Sequence, residues 1–261
     1  MGAPARWTRL LDILGDEGRV DVTDAAERLG CSSATVRRDM DELARQSLLT
    51  RTRGGAVVSS VACDLPLRHR TARRADEKRR IAKAVAELVP PGSVVGINGG
   101  TTTSEVAREL AVRSDPGGTS GGVALTVVTN AINIAGELAI RPHVKIVVTG
   151  GVARPSSCEL VGPLVTSVLQ NLALDYAILG VDAVHPRLGA ATHDASEARA
   201  NRSLAERAVT VILVADSSKL GRRAFAQVCA LNAVSVLVTD TDAPEALVGE
   251  ITALGVEVLC V

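Results

Sequence analysis

The stretch SSATVRRDM, Ser32 to Met40, sets two hydroxyl residues ahead of an adjacent arginine pair and only then begins to add acids. Ser32 or Ser33 suits a helix cap, because a side-chain oxygen there accepts from the free N–H groups of the first turn. Continued through ATVRRDMDELARQ, Val36, Met40 and Leu43 fall at i, i+4 and i+7, an apolar stripe for a core. Arg37 and Arg38 lie off that stripe near the leading end, and Asp39, Asp41 and Glu42 follow towards the trailing end. An isolated arginine pair is ordinarily a solvated helix face, so its neighbours decide its meaning.

Upstream, WTRLLDILG places Trp7, Leu10, Leu11 and Leu14 at helical spacing, with Gly15 to Gly18 as the stop. VDVTDAAERLG predicts a short helix capped by Thr23, burying Ala25, Ala26 and Leu29, and closed by Gly30; Cys31 and Ser32 make the turn. Downstream, LLTRTRGGAV reads as a strand, a Gly-Gly turn and a return strand. Helix, helix, tight turn, helix and hairpin is the layout of a winged helix-turn-helix, whose third helix enters the DNA major groove by its N-terminal half. The expected DNA-facing residues are Ser32, Ser33, Thr35, Arg37 and Arg38 on that helix, and Arg51 and Arg53 on the hairpin. Arginine suits the task because its planar fork pairs with two acceptors on guanine or on phosphate. No acid occurs between Glu42 and Asp64, so this flank is locally basic. The expected partner is double-stranded operator DNA.

The chain has 261 residues, 46% of them apolar, which suffices for one large or two unequal domains with real cores. Aromatics are 1%, which argues against stacking platforms for single-stranded nucleic acid. The formal net charge is zero, so any polyanion must be met by a local patch. The five cysteines are scattered without a CxxC, as free thiols in a reducing cytoplasm would be, and the histidines show no metal-ligand spacing with them. No apolar run approaches the ~20 residues of a membrane span. The reading is therefore cytoplasmic, without metal, cofactor or membrane. Residues 1–58 form the predicted DNA-binding domain and 59–75 a linker that begins polar and ends basic. That basic run continues to Lys83 and reads as a solvated helix face.

From 76 to 261 strands and helices alternate, predicting an α/β domain with a mostly parallel sheet. Its first helix is expected to bury Ile81, Ala84, Val85 and Leu88. Ligands of such sheets bind beyond the carboxyl ends of the strands, and nearly every predicted strand here stops at a polar or glycine cluster. The candidates are Asn98, Gly99, Gly100, Thr101, Thr102 and Thr103 after SVVGI, Thr129 and Asn130 after VALTVV, Gly151 after VKIVVT, Asp182 after YAILGV, Glu197 on the following helix, and Lys219 after VTVILVA. GGTTT offers close backbone approach, a helix N-terminus and three hydroxyls, which suits a phosphate. It matches neither GxxxxGK[ST] nor GxGxxG, and it lacks a lysine, against a nucleoside triphosphate. Asn98, Asn130, Asp182 and Glu197 could take hydroxyls, and Lys219 could add positive charge. The expected ligand is a phosphorylated sugar or polyol. Position by position, threonine and asparagine are also ordinary turn and cap residues.

ATVRRDMDEL and LLTRTRGGA, followed in order by GGTTT, VVTNA, VTGG, GVD, ADSSKLG and VTD, make almost the whole chain resemble a DeoR-type bacterial transcriptional regulator. The resemblance implies a winged helix-turn-helix with recognition helix Ser33 to about Gln46, joined to a sensor domain similar to ribose-phosphate isomerase. It implies a repressor of sugar or polyol catabolism genes with its anion loop at Gly99–Thr103 and with Thr129, Asn130 and Lys219 nearby. Repeated operators would call for a homo-oligomer, a dimer or tetramer. Asn98 stands where the family commonly has an acid, Asn201 where a lysine is common, and Ser47 where a glycine is frequent. Two other readings exist. One is an aldose–ketose isomerase using Asp182, Glu197 and Lys219 as acid–base groups, for which a DNA reader is superfluous. The other is a second domain that has lost its ligand and only oligomerises the reader.

Overall fold

The computed structural model describes residues 2–17, 19–45, 48–57, 74–114 and 123–261. The chain divides into two compact units, Met1–Arg73 and Arg74–Val261. The expected linker lies outside the described residues as far as residue 73, as do Gln46 and Ser47.

The first unit comprises α1 (Ala3–Glu17), β1 (Arg19–Asp21), α2 (Val22–Leu29), α3 (Ser33–Arg45), β2 (Thr50–Thr52) and β3 (Gly55–Val57). Leu10, Leu11 and Leu14 pack with Ala25, Val36, Met40 and Leu43 in one core. The helix they anchor ends at Glu17, within the expected stop at Gly15 to Gly18. The cap of α2 is Asp21 rather than Thr23: its carboxylate accepts the Thr23 N–H at 2.8 Å. Gly30 closes α2 at φ 60°, with its N–H and that of Cys31 turned back onto the helix carbonyls. The wing is a three-stranded antiparallel sheet, β1-β3-β2, so Arg19–Asp21 adds a strand that the sequence pattern did not announce.

The second unit holds α4 (Ala75–Leu88), β4 (Val94–Ile97), α5 (Thr101–Arg113), β5 (Leu125–Thr129), α6 (Ile132–Leu138), β6 (Val144–Val148), β7 (Val152–Arg154), β8 (Glu159–Val161), α7 (Pro163–Leu169), β9 (Leu174–Gly180), β10 (Ala183–His185), β11 (Gly189–Thr192), α8 (Ala195–Glu206), β12 (Ala208–Val214), β13 (Ala226–Cys229), β14 (Val236–Thr239), α9 (Glu245–Thr252) and β15 (Glu257–Cys260). Seven strands form one sheet in the order β15-β14-β12-β9-β4-β5-β6, and every pairing in it is parallel. Short apolar runs such as VVGI and LTVVT fit strands covered on both faces. One cluster, with Leu179, Leu204 and Leu213, and another, with Ile81, Val106 and Ile134, supply the two cores. The buried face of α4 is Ile81, Ala82, Val85 and Ala86, so Ala84 and Leu88 lie at its half-buried margin. Lys78 is buried there too, which corrects the expectation of a wholly solvated basic face.

Chain order departs from β4 in both directions, to β5 and β6 on one side and to β9, β12, β14 and β15 on the other. The carboxyl ends of β4 and β9 are therefore a topological switch point, where an open α/β sheet leaves a crevice. Two small additions frame it: the hairpin β7-β8 and the sheet β10-β11-β13.

Candidate nucleic-acid interface and effector site

Ser32 caps α3. Its Oγ accepts the Thr35 N–H at 3.2 Å and lies 2.9 Å from the Thr35 hydroxyl. Both hydroxyls are thus engaged in holding the helix start, with Ser33 half-buried beside them. Val36, Met40 and Leu43 face the core, and Arg37 and Arg38 stand exposed on the other side. Neither arginine makes a hydrogen bond or ion pair among the described residues, so both forks remain available.

Asp39 belongs to the buried face of α3, which the sequence reading did not foresee. Its carboxylate accepts from Arg6 Nε at 2.6 Å, Arg6 Nη2 at 3.0 Å and Trp7 Nε1 at 2.8 Å. Burial pushes this acid up, but the hydrogen bonds from Arg6 and Trp7 and the charges of Arg6 and Arg38 outweigh it. Asp39 is held below the usual carboxylate range. A sole tryptophan at the start of a helix needs a partner for its N–H, and that need was the available signal for the pair.

The two wing arginines separate. Arg51 is half-buried, donating to Gly55 O at 2.8 Å and to Met40 Sδ at 3.0 Å, with Asp41 2.9 Å away. It braces the wing against α3. Arg53 is exposed in the turn between β2 and β3, where Gly54 takes φ 89°.

In the second unit the strand-end residues converge through a chain of bonds. Asn98, 1% exposed, spans the switch point: its Nδ2 donates to Gly180 O at 2.9 Å and its Oδ1 accepts the Gly180 N–H at 2.8 Å. This two-way clamp needs an amide; a carboxylate could not donate. Lys219 Nζ donates to Val181 O at 2.6 Å, immediately after β9. Asp182 accepts from Thr192 Oγ1 at 2.7 Å and from the His193 N–H at 3.2 Å. Thr192 Oγ1 also approaches Glu197 Oε2 at 3.2 Å, and Glu197 Oε1 accepts from Arg154 Nη1 at 3.1 Å. Thr192 and Arg154 were absent from the sequence-based candidates; they sit on β11 and β7, short strands without a periodic signal.

Gly100 caps α5, and its carbonyl accepts from Ser104 N–H, Ser104 Oγ and Thr103 Oγ1 at 3.0, 2.7 and 3.1 Å. Thr101 is half-buried. Thr102 and Thr103 are buried, and Thr102 Oγ1 has no hydrogen-bond partner among the described residues. Gly99 donates its N–H at 2.7 Å to Glu159, a residue not foreseen, on β8. Thr129 Oγ1 donates to Ile97 O at 2.6 Å and accepts the Ala131 N–H at 3.0 Å. Asn130 Nδ2 donates to Leu160 O at 3.2 Å, leaving its buried Oδ1 without a partner among the described residues. Gly151, at φ 128°, lets the chain pass 2.8 Å from Val161 O at its would-be Cβ, so it shapes the β7-β8 hairpin. Asn201 is buried on α8, and its Oδ1 has no hydrogen-bond partner among the described residues.

Asp216 joins the rim. Burial pushes it up, but Lys219, the Ser218 hydroxyl, Arg74 and Lys78 together hold it below the usual carboxylate range. Among the described residues no cluster of three or more His, Cys, Asp or Glu could hold a metal ion, and no helix is long and apolar enough to cross a membrane.

Comparison with known proteins agrees with this division. Residues 6–61 match the DeoR-like helix-turn-helix domain, and residues 73–241 match the DeoR C terminal sensor domain. Over 247 residues the chain is 31% identical to the glycerol-3-phosphate regulon repressor of Escherichia coli K12, covering 95% of this chain and 94% of that protein. It is 36% identical over 236 residues to the HTH-type transcriptional regulator GlpR of Haloferax volcanii, covering 90% and 89%. Among solved structures it is similar to ribose 5 phosphate isomerase A from Neisseria gonorrhoeae, at 20% identity and a TM-score of 0.40 over 56% of this chain and 53% of that one. The chain belongs to the DeoR family of DNA-binding transcriptional regulators, and it is a regulator rather than an enzyme.

Proposed function

We propose that this chain represses genes of sugar or polyol catabolism, and that a phosphorylated sugar or polyol sets its affinity for operator DNA. The observation that carries the reading is the build of α3: capped by Ser32, anchored by Val36, Met40 and Leu43, it leaves Arg37 and Arg38 exposed with their acidic neighbour Asp39 turned inward. In this reading Arg37 and Arg38 reach base edges or phosphates, Arg53 touches the backbone from the wing, and Arg51 acts by positioning that wing. Ser32, Ser33 and Thr35 place the helix start against phosphate.

The effector would lie at the carboxyl ends of β4 and β9. Its phosphate would meet the loop Gly99–Thr103, and its hydroxyls the network of Asp182, Thr192 and Glu197, with Lys219 supplying charge. Support comes from relatives whose names refer to a glycerol-3-phosphate regulon and from a buried, hydrogen-bonding rim at the switch point. The protein would act in the cytoplasm as a homo-oligomer, dimer or tetramer, on repeated half-sites. The test is footprinting on DNA upstream of its own operon. The intact chain should protect a defined site, and Arg37→Ala and Arg38→Ala should each weaken that protection. Equal protection by both variants would contradict the assignment of α3.

A further inference from the structure

The loop between β4 and α5 is where an effector phosphate would sit, and a carboxylate already stands there. Glu159 is 2% exposed, and its Oε1 accepts the Gly99 N–H at 2.7 Å. The fit is close: a Cβ on residue 99 would lie 2.4 Å from Glu159 Cγ, so glycine at 99 makes room for this side chain. Its backbone is held in place from the next residue, where Leu160 N–H donates to Asn130 O at 2.6 Å and Asn130 Nδ2 returns a bond to Leu160 O at 3.2 Å. The preceding residue, Cys158, takes φ 59°, a left-handed conformation that a residue with a side chain adopts only under constraint. At the start of α5, Thr102 Oγ1 is buried and unpartnered among the described residues, a polar group for a ligand to meet.

A carboxylate oxygen on an anion-loop N–H does what a phosphate oxygen does: it takes the same hydrogen and brings negative charge. The two cannot hold one N–H together, and like charges in a shielded loop repel. We propose that Glu159 is an internal plug of the anion loop, which an effector's phosphate must expel from Gly99, so that Glu159 sets the affinity threshold of the sensor. The inference rests on the phosphate-effector reading above. A site open only part of the time binds more weakly by the fraction that is open. Glu159 therefore weakens every phosphate compound in common and leaves unphosphorylated polyols unaffected.

The experiment is calorimetric titration of the full chain and of Glu159→Gln and Glu159→Ser with inorganic phosphate, glycerol 3-phosphate and glycerol. Far-ultraviolet dichroism of each variant identifies any that fails to fold. Glu159→Gln keeps the size and an acceptor oxygen but removes the charge, and Glu159→Ser empties the loop. Folded variants should bind the phosphate compounds at least about tenfold more tightly than the natural chain, with glycerol unchanged. If the natural chain binds a phosphate compound and folded variants bind it no more tightly, the plug is refuted while the effector reading stands. If neither the natural chain nor a folded variant binds either phosphate compound, the loop is no anion site, and both readings fall.

Discussion

A carboxylate in the middle of a helix proposed to read DNA would ordinarily repel phosphates; Asp39 is instead buried against Arg6 and Trp7. Removing one side of a buried, charge-assisted set strands the other. Asp39→Ala is expected to lower the stability of the first unit by on the order of 1–3 kcal/mol. Trp7 is the only tryptophan, so its emission during urea unfolding reads that unit selectively. The acid's pH dependence has a definite sign. Its folded pKa lies below the ordinary value of about 3.9, so its contribution is complete above that value and is lost as pH falls through the folded pKa. Asp39→Asn should show a shallower acid-side loss of stability than the natural chain; equal slopes would contradict the role given to this residue. In the proposed reading the exposed arginines act on DNA instead. Arg37→Ala or Arg38→Ala should cost about 1–3 kcal/mol of operator affinity where the side chain reads a base, and Arg53→Ala should reduce the salt slope by about 1 if it holds one phosphate. Anisotropy titrations across a salt series separate the two.

Two elements, the wing and the switch point, depend on contacts of single backbone groups. In the wing, a Cβ on Gly55 would lie 2.1 Å from the Val20 carbonyl oxygen, so Gly55→Ala must push β1 and β3 apart. A loss of about 1–3 kcal/mol is expected for forcing an extra methyl into a closed fit, again read from Trp7; unchanged stability would mean that the pairing of β1 with β3 is not as described. At the switch point the Asn98 amide joins β4 to β9 by one bond given and one received. Asn98→Asp keeps the acceptor but sets a carboxylate against the Gly180 carbonyl, for a cost of about 1–3 kcal/mol in the second unit. Thermal unfolding of the variant is the measurement, and an unchanged midpoint would contradict the clamp.

Over the whole molecule, legibility followed sequence distance. The helices and the seven parallel strands were readable because their signals are periodic and local: Val36, Met40 and Leu43 mark α3, and VVGI and VILV mark strands. The strand-end residues were readable because a parallel sheet dictates where polar groups collect. What escaped notice lies on short strands or across long separations. Glu159 reaches Gly99 over 60 positions, Asp39 reaches Arg6 over 33, and Arg154 reaches Glu197 over 43; nothing in a local window announces such pairs. A basic wing invites a DNA-facing reading of Arg51; its bonds to Gly55 and Met40 and its pairing with Asp41 are contacts that the sequence pattern does not announce. The central claim is that one unit reads DNA and the other reports a phosphorylated sugar or polyol to it. It is tested most directly by fluorescence anisotropy of the full chain on labelled DNA from upstream of its own operon, titrated with sugar and polyol phosphates and their unphosphorylated parents. The expected result is that at least one phosphate compound shifts the DNA affinity several-fold while its parent does not. DNA binding that no phosphate compound alters, or that parent and phosphate alter equally, would contradict the claim.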